Sequence, residues 1–437
     1  MILKPILERL FPLHRTLSSD GTDKALDILG NYMPPESGYK IESYPPGKSV
    51  WTWRIPERYV VHEAYLEMED GKRILDFQDN PLHLVSYSLP VDKVLSWEFL
   101  EPHLYYNKQR PWSIPWKFKY YERDWGFCLP KNLFDKLPRD SRYHAVIKAE
   151  FQNEAEPGFH ISYGVMHPNA GPDENAGEML ISSHVCHPRQ ANDDLSGVVT
   201  ALGVAQRLSE KPLPKGSMSI RFLFGPETIG TISYLSHNEE LITRLKAGIF
   251  IEMTGNRNIL SWHHSKQHDH LIDKITAHAL AGKPHKVRCF AEAPANDERV
   301  INGPGVNVPC ISINRWPYEE YHTSDDNPSI IDEDMLQGAV DVIEKIIRIF
   351  ATNYIPKRNF RGPVFLSGHG LWIDWQENWA LNRAIEKIMM EFEGDQSVFD
   401  IARTVDLDYW MVRDYVNKFQ EKGLIEKLPI QSLGATE

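Results

Sequence analysis

The chain contains few cysteines, and their spacing does not suggest a disulfide framework. Its 437 residues include four, which are widely separated: Cys128, Cys186, Cys289 and Cys310. No apolar run approaches the roughly 20 residues that a helix needs to cross a bilayer. Residues 1–10 are largely apolar but carry charges inside the run and lack a small-residue cleavage site, a pattern typical of an amphipathic helix and not of a signal peptide. These absences predict a cytoplasmic protein with no membrane-spanning segment.

An excess of positive charge is missing as well. The formal net charge is −12, and attraction to nucleic acid needs a basic face, which a net acidic chain provides only locally. The sequence lacks the Gly-rich loop that would hold a nucleotide phosphate, and Ser196 lies in Asp-Leu-Ser-Gly instead of the Gly-x-Ser-x-Gly of a serine hydrolase. Cys186 lies between His184 and His187, as a thiol nucleophile would require, but no oxyanion-hole motif accompanies it.

Hydrophobic periodicity divides most of the chain into two predicted domains. Strands alternate with helices over about 139–355, which predicts a three-layer α/β domain around a mainly parallel, mixed sheet, with residues 1–55 as part of it. Residues 56–138 show short alternating strands separated by Asp-Gly and prolines, which predicts a β-rich inserted domain. The aromatic run from Trp112 to Phe127 either lines a substrate cleft or, as we favour, fills a small β core.

Residues 356–437 are predicted to form a winged helix domain. Helical patterns over 372–392, 397–405 and 408–421 precede a strand-like segment at 423–428. The last of these helices carries acidic as well as basic side chains, so it would repel phosphate about as much as attract it. We therefore interpret the tail as a packing or protein-interaction module and do not expect DNA binding.

Polar side chains suited to chemistry follow four apolar runs. In parallel sheets such groups gather beyond the carboxyl ends of the strands, so we expect them to meet in one crevice. Imidazole and carboxylate are ligands that zinc accepts, and three or four of them with an open position form a hydrolytic site. The runs are 179–182, 219–224, 247–251 and 308–313, and the groups after them are His184, His187 and Asp193, then Glu227, then Glu252, and finally Tyr321 with His322.

This ordered set of motifs resembles the M28 class of zinc aminopeptidases. It is more closely similar to the bacterial aminopeptidase-like proteins of the DUF4910 and DUF2172 type, which combine that catalytic domain with a β-rich insertion and a C-terminal winged helix. The resemblance implies a cis peptide after Asp193. It also implies one or two zinc ions, with roles as follows: His184, Glu252 and His322 as ligands, Asp193 as the carboxylate between two ions, Glu227 as the general base, and Tyr321 as the phenol that stabilises an oxyanion.

Two positions depart from the M28 pattern. Cys186 stands where the pattern has an Asp that orients the first imidazole, and Thr228 stands where it has a second metal-binding Glu. His187, which the standard motif lacks, either fills the place of that missing ligand or lies outside a site with a single zinc. The resemblance also places Asp297 among the substrate-binding residues.

The expected function is that of a zinc-dependent hydrolase of aminopeptidase type, which cleaves a peptide or small amide bond with water activated at the metal. A related alternative is an amide deacylase in surface-glycan biosynthesis. An alternative from another class is a catalytically inactive scaffold or regulator acting through the winged helix, because Cys186 and Thr228 alter the site. The expected partners are the small substrate, a protein bound at the winged helix and, as an open alternative, a second copy of the chain.

Overall fold

The computed structural model describes residues 1–153 and 158–430, so the last residues of the predicted 356–437 domain lie outside the described part of the chain. A mixed sheet of eight strands forms its centre, as predicted. The four central strands are parallel to one another, and the outer strands add antiparallel pairs at both edges. In spatial order the strands are Lys40–Tyr44, Phe159–Met166, Ser219–Gly225, Glu178–His184, Leu245–Ile251, Cys310–Asn314, Ser261–His263 and Lys286–Arg288.

The central strands are buried along almost their whole length because both faces of the sheet are covered. In the strand Glu178–His184 every residue is buried. Met179 and Ile181 belong to one hydrophobic core, whereas Leu180 between them belongs to a second. Successive side chains of a strand point to opposite faces, so the two cores lie on opposite sides of the sheet.

Helices pack on both faces. The helix Glu333–Ala351 contacts Gly197–Glu210 and Leu271–Leu280, and all three contribute to the core that contains Met179. Residues of Ile229–His237 contribute to the other core. The remaining helices of this part are Lys4–Leu10, Asp20–Gly30, Glu239–Arg244 and Asp297–Ile301.

A second, antiparallel sheet lies in the β-rich part of the chain. Its strand order is Arg73–Asp76, Arg58–Met68, Arg142–Gln152, Val91–Ser96. The strand Arg142–Gln152 pairs with Arg58–Met68 along almost its full length. The small sheet therefore extends beyond residue 138, the predicted end of the insertion. Short elements complete this part: the strands Ser49–Val50, Trp53–Arg54, Leu104–Tyr105 and Phe127–Cys128, and the helices Trp97–Leu100 and Lys131–Phe134.

The C-terminal part contains helices and one two-stranded sheet. The strand Ile425–Leu428 pairs antiparallel with Ile355–Arg358, which precedes the helices. The helix expected over 372–392 begins only at Trp379, because the side chain of Asn378 caps it by accepting a hydrogen bond from the backbone N–H of Leu381. The other helices are Leu366–His369, Val398–Thr404 and Tyr409–Glu421. Among the described residues, no helix has the length and apolar character needed to cross a lipid bilayer.

Candidate metal centre

The predicted convergence of strand ends is present. His184 is the last residue of its strand, Glu252 directly follows Leu245–Ile251, and Glu227 lies two residues beyond Ser219–Gly225. These strands are neighbours in the parallel centre of the sheet. The loop that carries His322 follows the fourth parallel strand, Cys310–Asn314.

Asp193 lies among three imidazoles. Its Oδ1 is 3.3 Å from Nε2 of His184, and its Oδ2 is 3.3 Å from Nδ1 of His187 and 3.0 Å from Nε2 of His322. Burial would raise the pKa of Asp193, but the three imidazoles hold it well below its ordinary value. The carboxylate is therefore ionised and its two oxygens face different imidazoles, as a carboxylate between two metal ions would require.

Two of these imidazole nitrogens are buried without a hydrogen-bond partner among the described residues. Nε2 of His184 and Nδ1 of His187 face Asp193 but lie outside hydrogen-bonding geometry. A buried imidazole nitrogen without a hydrogen-bond partner costs free energy unless it binds a metal ion or another group. Potential ligand atoms of His187, Asp193 and His322 lie within 4.8 Å of one another. These donors fit a zinc ion, which prefers imidazole and carboxylate ligands.

A buried carboxylate anchors residues 185–193, the loop that carries His187 and Asp193 and is called the ligand loop below. Asp326 accepts hydrogen bonds from the backbone N–H groups of Ala191, Asn192 and Asp193, and from the hydroxyl of Tyr318. As the resemblance implied, the peptide between Asp193 and the next residue is cis. Asp326 thereby fixes the backbone from which Asp193 projects.

Arg15 also holds this loop in place through hydrogen bonds to its backbone. Its guanidinium is fully buried and donates to the carbonyl oxygens of Val185 (2.6 Å) and Gln190 (3.1 Å). Burial lowers the pKa of Arg15 to about 10, although the nearby acidic groups oppose the shift. The side chain therefore remains charged at neutral pH and offsets part of the negative charge around Asp193.

Glu227 lies next to the cluster of imidazoles. Its Oε2 lies 3.0 Å from Nε2 of His187. Burial would raise the pKa of Glu227, but His187 holds it below its ordinary value, so the carboxylate is ionised. An ionised carboxylate beside a metal site can accept a proton from water.

Cys186 connects the first imidazole to the segment that carries Glu227. Its Sγ accepts a hydrogen bond from the backbone N–H of Glu227 at 3.1 Å and lies 3.8 Å from Nδ1 of His184. The thiol thus occupies the place beside His184 where the M28 pattern has an Asp. It also forms a second compact group of potential ligand atoms with His184 and His187.

Glu252 is buried at the same end of the sheet but lies outside both compact groups of ligand atoms found among the described residues. Its Oε2 accepts a hydrogen bond from Asn296 (2.5 Å) and its Oε1 from Asn314 (3.2 Å). Burial, with Glu298 and Asp194 nearby, raises the pKa of Glu252 well above its ordinary value. Its role as a metal ligand stays a prediction.

Tyr321 and Asp297 frame the site. The ring of Tyr321 stacks on His322 with centroids 3.7 Å apart. Asp297, predicted to bind substrate, instead accepts hydrogen bonds from the backbone N–H of Thr228 (3.2 Å) and from the hydroxyl of Thr231. These bonds fix the start of the helix that follows Glu227, and its contact with substrate stays a prediction.

The sequence did not predict that Trp116 contacts the candidate metal centre. Trp116 belongs to the aromatic run that was expected to fill a β core, but its ring lies 4.1 Å from that of His187 and 4.6 Å from that of His322. Its backbone N–H also donates to the carbonyl oxygen of His322 at 2.8 Å. Trp116 is buried in a small hydrophobic cluster with Leu82, Val85, Ile114 and Cys128, so it fills a core, as favoured, and one face of it also packs on the imidazoles. No local pattern distinguishes a tryptophan in a core from one that packs on a ligand.

A family model described as "Domain of unknown function (DUF4910)" matches residues 4–353. The chain belongs to the DUF4910 family. A Clostridium acetobutylicum protein, provisionally named a polysaccharide biosynthesis protein with an aminopeptidase-like domain, is 31% identical over 427 residues, which cover 93% of this chain and 92% of the relative. The aminopeptidase-like domain of this relative supports a hydrolase of peptidase type at the level of the family.

Two solved structures have a fold similar to that of this chain. A structure from Clostridium acetobutylicum, provisionally described as a peptidase, is 28% identical, covers 98% of this chain and 96% of its own, and gives a TM-score of 0.82. A zinc aminopeptidase from Bacillus subtilis is 15% identical, covers 79% of this chain and 92% of its own, and gives a TM-score of 0.58. At that identity the second likeness concerns the fold alone.

Proposed function

We propose that this DUF4910 protein is a zinc-dependent hydrolase of aminopeptidase type that cleaves a peptide or small amide bond. The observation that carries the proposal is the placement of Asp193 among three imidazoles, two of which have a buried nitrogen without a partner. Such a set of donors is costly to bury unless a metal completes it. The unpaired cysteines agree with a cytoplasmic location.

Two zinc sites are proposed around the shared carboxylate. His187, Asp193 and His322 would hold one ion, with His187 in place of the glutamate that the M28 pattern has where this chain has Thr228. His184, Asp193 and Glu252 would hold the other. A bound zinc ion lowers the pKa of a water ligand and polarises a carbonyl group.

The side chains of the protein perform the proton transfer. Glu227 is ionised and lies at hydrogen-bond distance from His187, so it accepts a proton from the attacking water and passes it to the leaving nitrogen. Tyr321, whose ring stacks on His322, would donate a hydrogen bond to the oxygen that becomes negative.

Purified protein reconstituted with zinc would be assayed on a panel of aminoacyl anilides and dipeptides. Glu227→Gln serves as the inactive control, and Glu240→Gln, on an exposed helix start, as the matched neutral control. Release of amine by the wild type but not by Glu227→Gln would support the proposal. No turnover of any amide despite full zinc occupancy would overturn it.

A second candidate is an amide deacylase in polysaccharide biosynthesis. It is favoured by the name of the Clostridium acetobutylicum relative, which combines polysaccharide biosynthesis with an aminopeptidase-like domain. The same assay distinguishes the two candidates when N-acetylated sugars are added to the panel. Turnover of the sugars without turnover of aminoacyl anilides would replace the aminopeptidase with the deacylase.

A further inference from the structure

The β-rich part of the chain reaches the candidate metal centre through the segment 110–120. Arg110 and Ser113 contact the carboxylate of Asp325 at 2.7 and 2.5 Å. Further along, Pro115 forms an antiparallel bridge with Thr323. The segment is therefore fixed to the loop that carries His322.

Alternate residues of this segment form an aromatic row that begins at the metal centre. The ring of Trp116 packs on His187, the ring of Phe118 lies 5.1 Å from that of Trp116, and the ring of Tyr120 stacks on Phe118 at 4.3 Å. In extended chain, residues two apart point to the same side. Lys119, between the last two rings, instead forms ion pairs with Glu122 and Asp124.

The hydroxyl of Tyr120 is buried and has no hydrogen-bond partner among the described residues. Neighbouring buried tyrosines are different. The hydroxyl of Tyr59 donates to the carbonyl oxygen of Ser88, and that of Tyr87 to the carbonyl oxygen of Glu57. A buried phenol almost always has a partner, and an exception requires an explanation such as a ligand.

The charges that act on this phenol are those of the candidate active site. Burial raises the pKa of Tyr120 well above its ordinary value, and the charges of Cys186, Glu227 and Asp193 raise it further. The hydroxyl therefore keeps its proton and acts as a donor.

We propose that Tyr120 is a substrate-binding residue whose hydroxyl donates a hydrogen bond to the carbonyl oxygen of the amide that is cleaved. This inference rests on the proposed hydrolase function. The β-rich part then contributes one phenol to the site, Tyr120, and the α/β part contributes the other, Tyr321. The substrate then lies between the sheet edge and the aromatic row, with the half-exposed ring of Phe118 as an apolar contact for it.

Tyr120→Phe tests the inference because it removes only the hydroxyl. Tyr121→Phe is the matched control, since the adjacent hydroxyl donates to the carbonyl oxygen of Arg54 on an exposed side of the segment. We expect kcat/KM for an aminoacyl anilide to fall about 100-fold in Tyr120→Phe, in the range found when one oxyanion donor is lost. Tyr121→Phe should keep the wild-type value.

Two further measurements separate substrate binding from a structural role. Zinc content and Tm of Tyr120→Phe should equal or exceed those of the wild type, because no protein partner of the hydroxyl is lost. An aminoalkyl phosphonate, which mimics the tetrahedral intermediate, should bind more weakly to Tyr120→Phe than to the wild type. Unchanged kinetics and unchanged phosphonate binding would overturn the inference, as would a fall in kcat/KM that is accompanied by loss of zinc or of Tm.

The two proposals fail in different ways. If the wild type hydrolyses amides and Tyr120→Phe does so equally well, the hydrolase function stands and the role of Tyr120 does not. If the wild type hydrolyses nothing, the phosphonate titration still compares the two proteins, and weaker binding to Tyr120→Phe would support the contact. Absence of both turnover and phosphonate binding in the wild type would overturn both proposals.

Discussion

Nε2 of His187 lies 3.0 Å from Oε2 of Glu227, while Nδ1 of the same ring faces Asp193. One imidazole thus connects the carboxylate between the proposed zinc ions to the proposed general base. In the proposed two-zinc site, His187 takes the place of the glutamate that the M28 pattern has where this chain has Thr228. The exchange of a carboxylate for an imidazole leaves the site with less negative charge and adds a proton donor beside the base.

His187→Ala should lower the zinc content of chelator-free protein from about two ions per chain to about one, because one proposed site loses a ligand while the other keeps three. Elemental mass spectrometry measures the content. His285→Ala, at a half-buried site, is the control. Retention of two ions in His187→Ala would show that this imidazole is not a ligand.

Glu227→Gln should reduce kcat by about 10²–10⁴-fold with zinc content unchanged. The amide retains an oxygen that can accept from His187 but cannot take a proton from water. Steady-state kinetics and metal analysis on the same preparation test this. Loss of zinc in the variant would indicate that Glu227 is a ligand and not the base.

Asp326→Asn should weaken zinc binding about 10–100-fold and destabilise the fold by about 2 kcal/mol. Asp326 accepts three backbone N–H groups of the ligand loop, and an amide directs an N–H group at one of those donors. Competition with a chelator and denaturant unfolding provide the two numbers. Wild-type affinity in the variant would mean that the loop holds Asp193 in place without this anchor.

Trp116→Ala should also weaken zinc binding, because the indole packs on both His187 and His322. Trp116→Phe, which keeps an aromatic ring there, should recover part of the affinity. Trp112→Ala removes an indole that is 77% exposed and serves as the control. Competition with a chelator measures the zinc affinity of each protein. Equal affinity of the wild type and the three variants would exclude a positioning role for Trp116.

His263→Asn should make stability less dependent on pH. Burial, and then the charge of Arg288, lower the pKa of His263 from 6.5 to about 4. As the pH falls below about 6.5, the unfolded state takes up the proton first, so stability decreases until the folded state is protonated near pH 4. The wild type should therefore lose about 2 kcal/mol more than His263→Asn between pH 7 and pH 5. Unfolding in denaturant at both pH values tests this, and parallel curves would contradict it.

The fold and the centre of the site could be predicted because they depend on local patterns. The apolar runs before His184 and Glu252 mark parallel strands, and the residues after parallel strands gather at one edge of the sheet. Arg15 could not be identified in this way, because its contact with Val185 joins residues 170 positions apart. Tyr120 could not either, since an unpartnered hydroxyl is a property of the packed structure and not of the residues beside it.

Two boundaries in the structure differ from the predicted ones, for different reasons. Arg142–Gln152 has the alternation of any half-buried strand, and only its pairing with Arg58–Met68 assigns it to the small sheet. Trp372, Ile373 and Trp375 precede the following helix, but the side chain of Asn378 caps that helix, which therefore begins at Trp379. A tertiary partner decides the first case and a single capping side chain the second.

The contact between Ile114 and Ser324 joins residues 210 positions apart in the chain. Such contacts form late in folding, because the loop that they close is long and its entropy is lost before any contact is gained. During synthesis, the segment 110–120 therefore contacts the loop that carries His322 only after nearly the whole α/β part has left the ribosome. A nascent chain would accordingly assemble the candidate metal centre in a single late step, and shorter translation products would lack it.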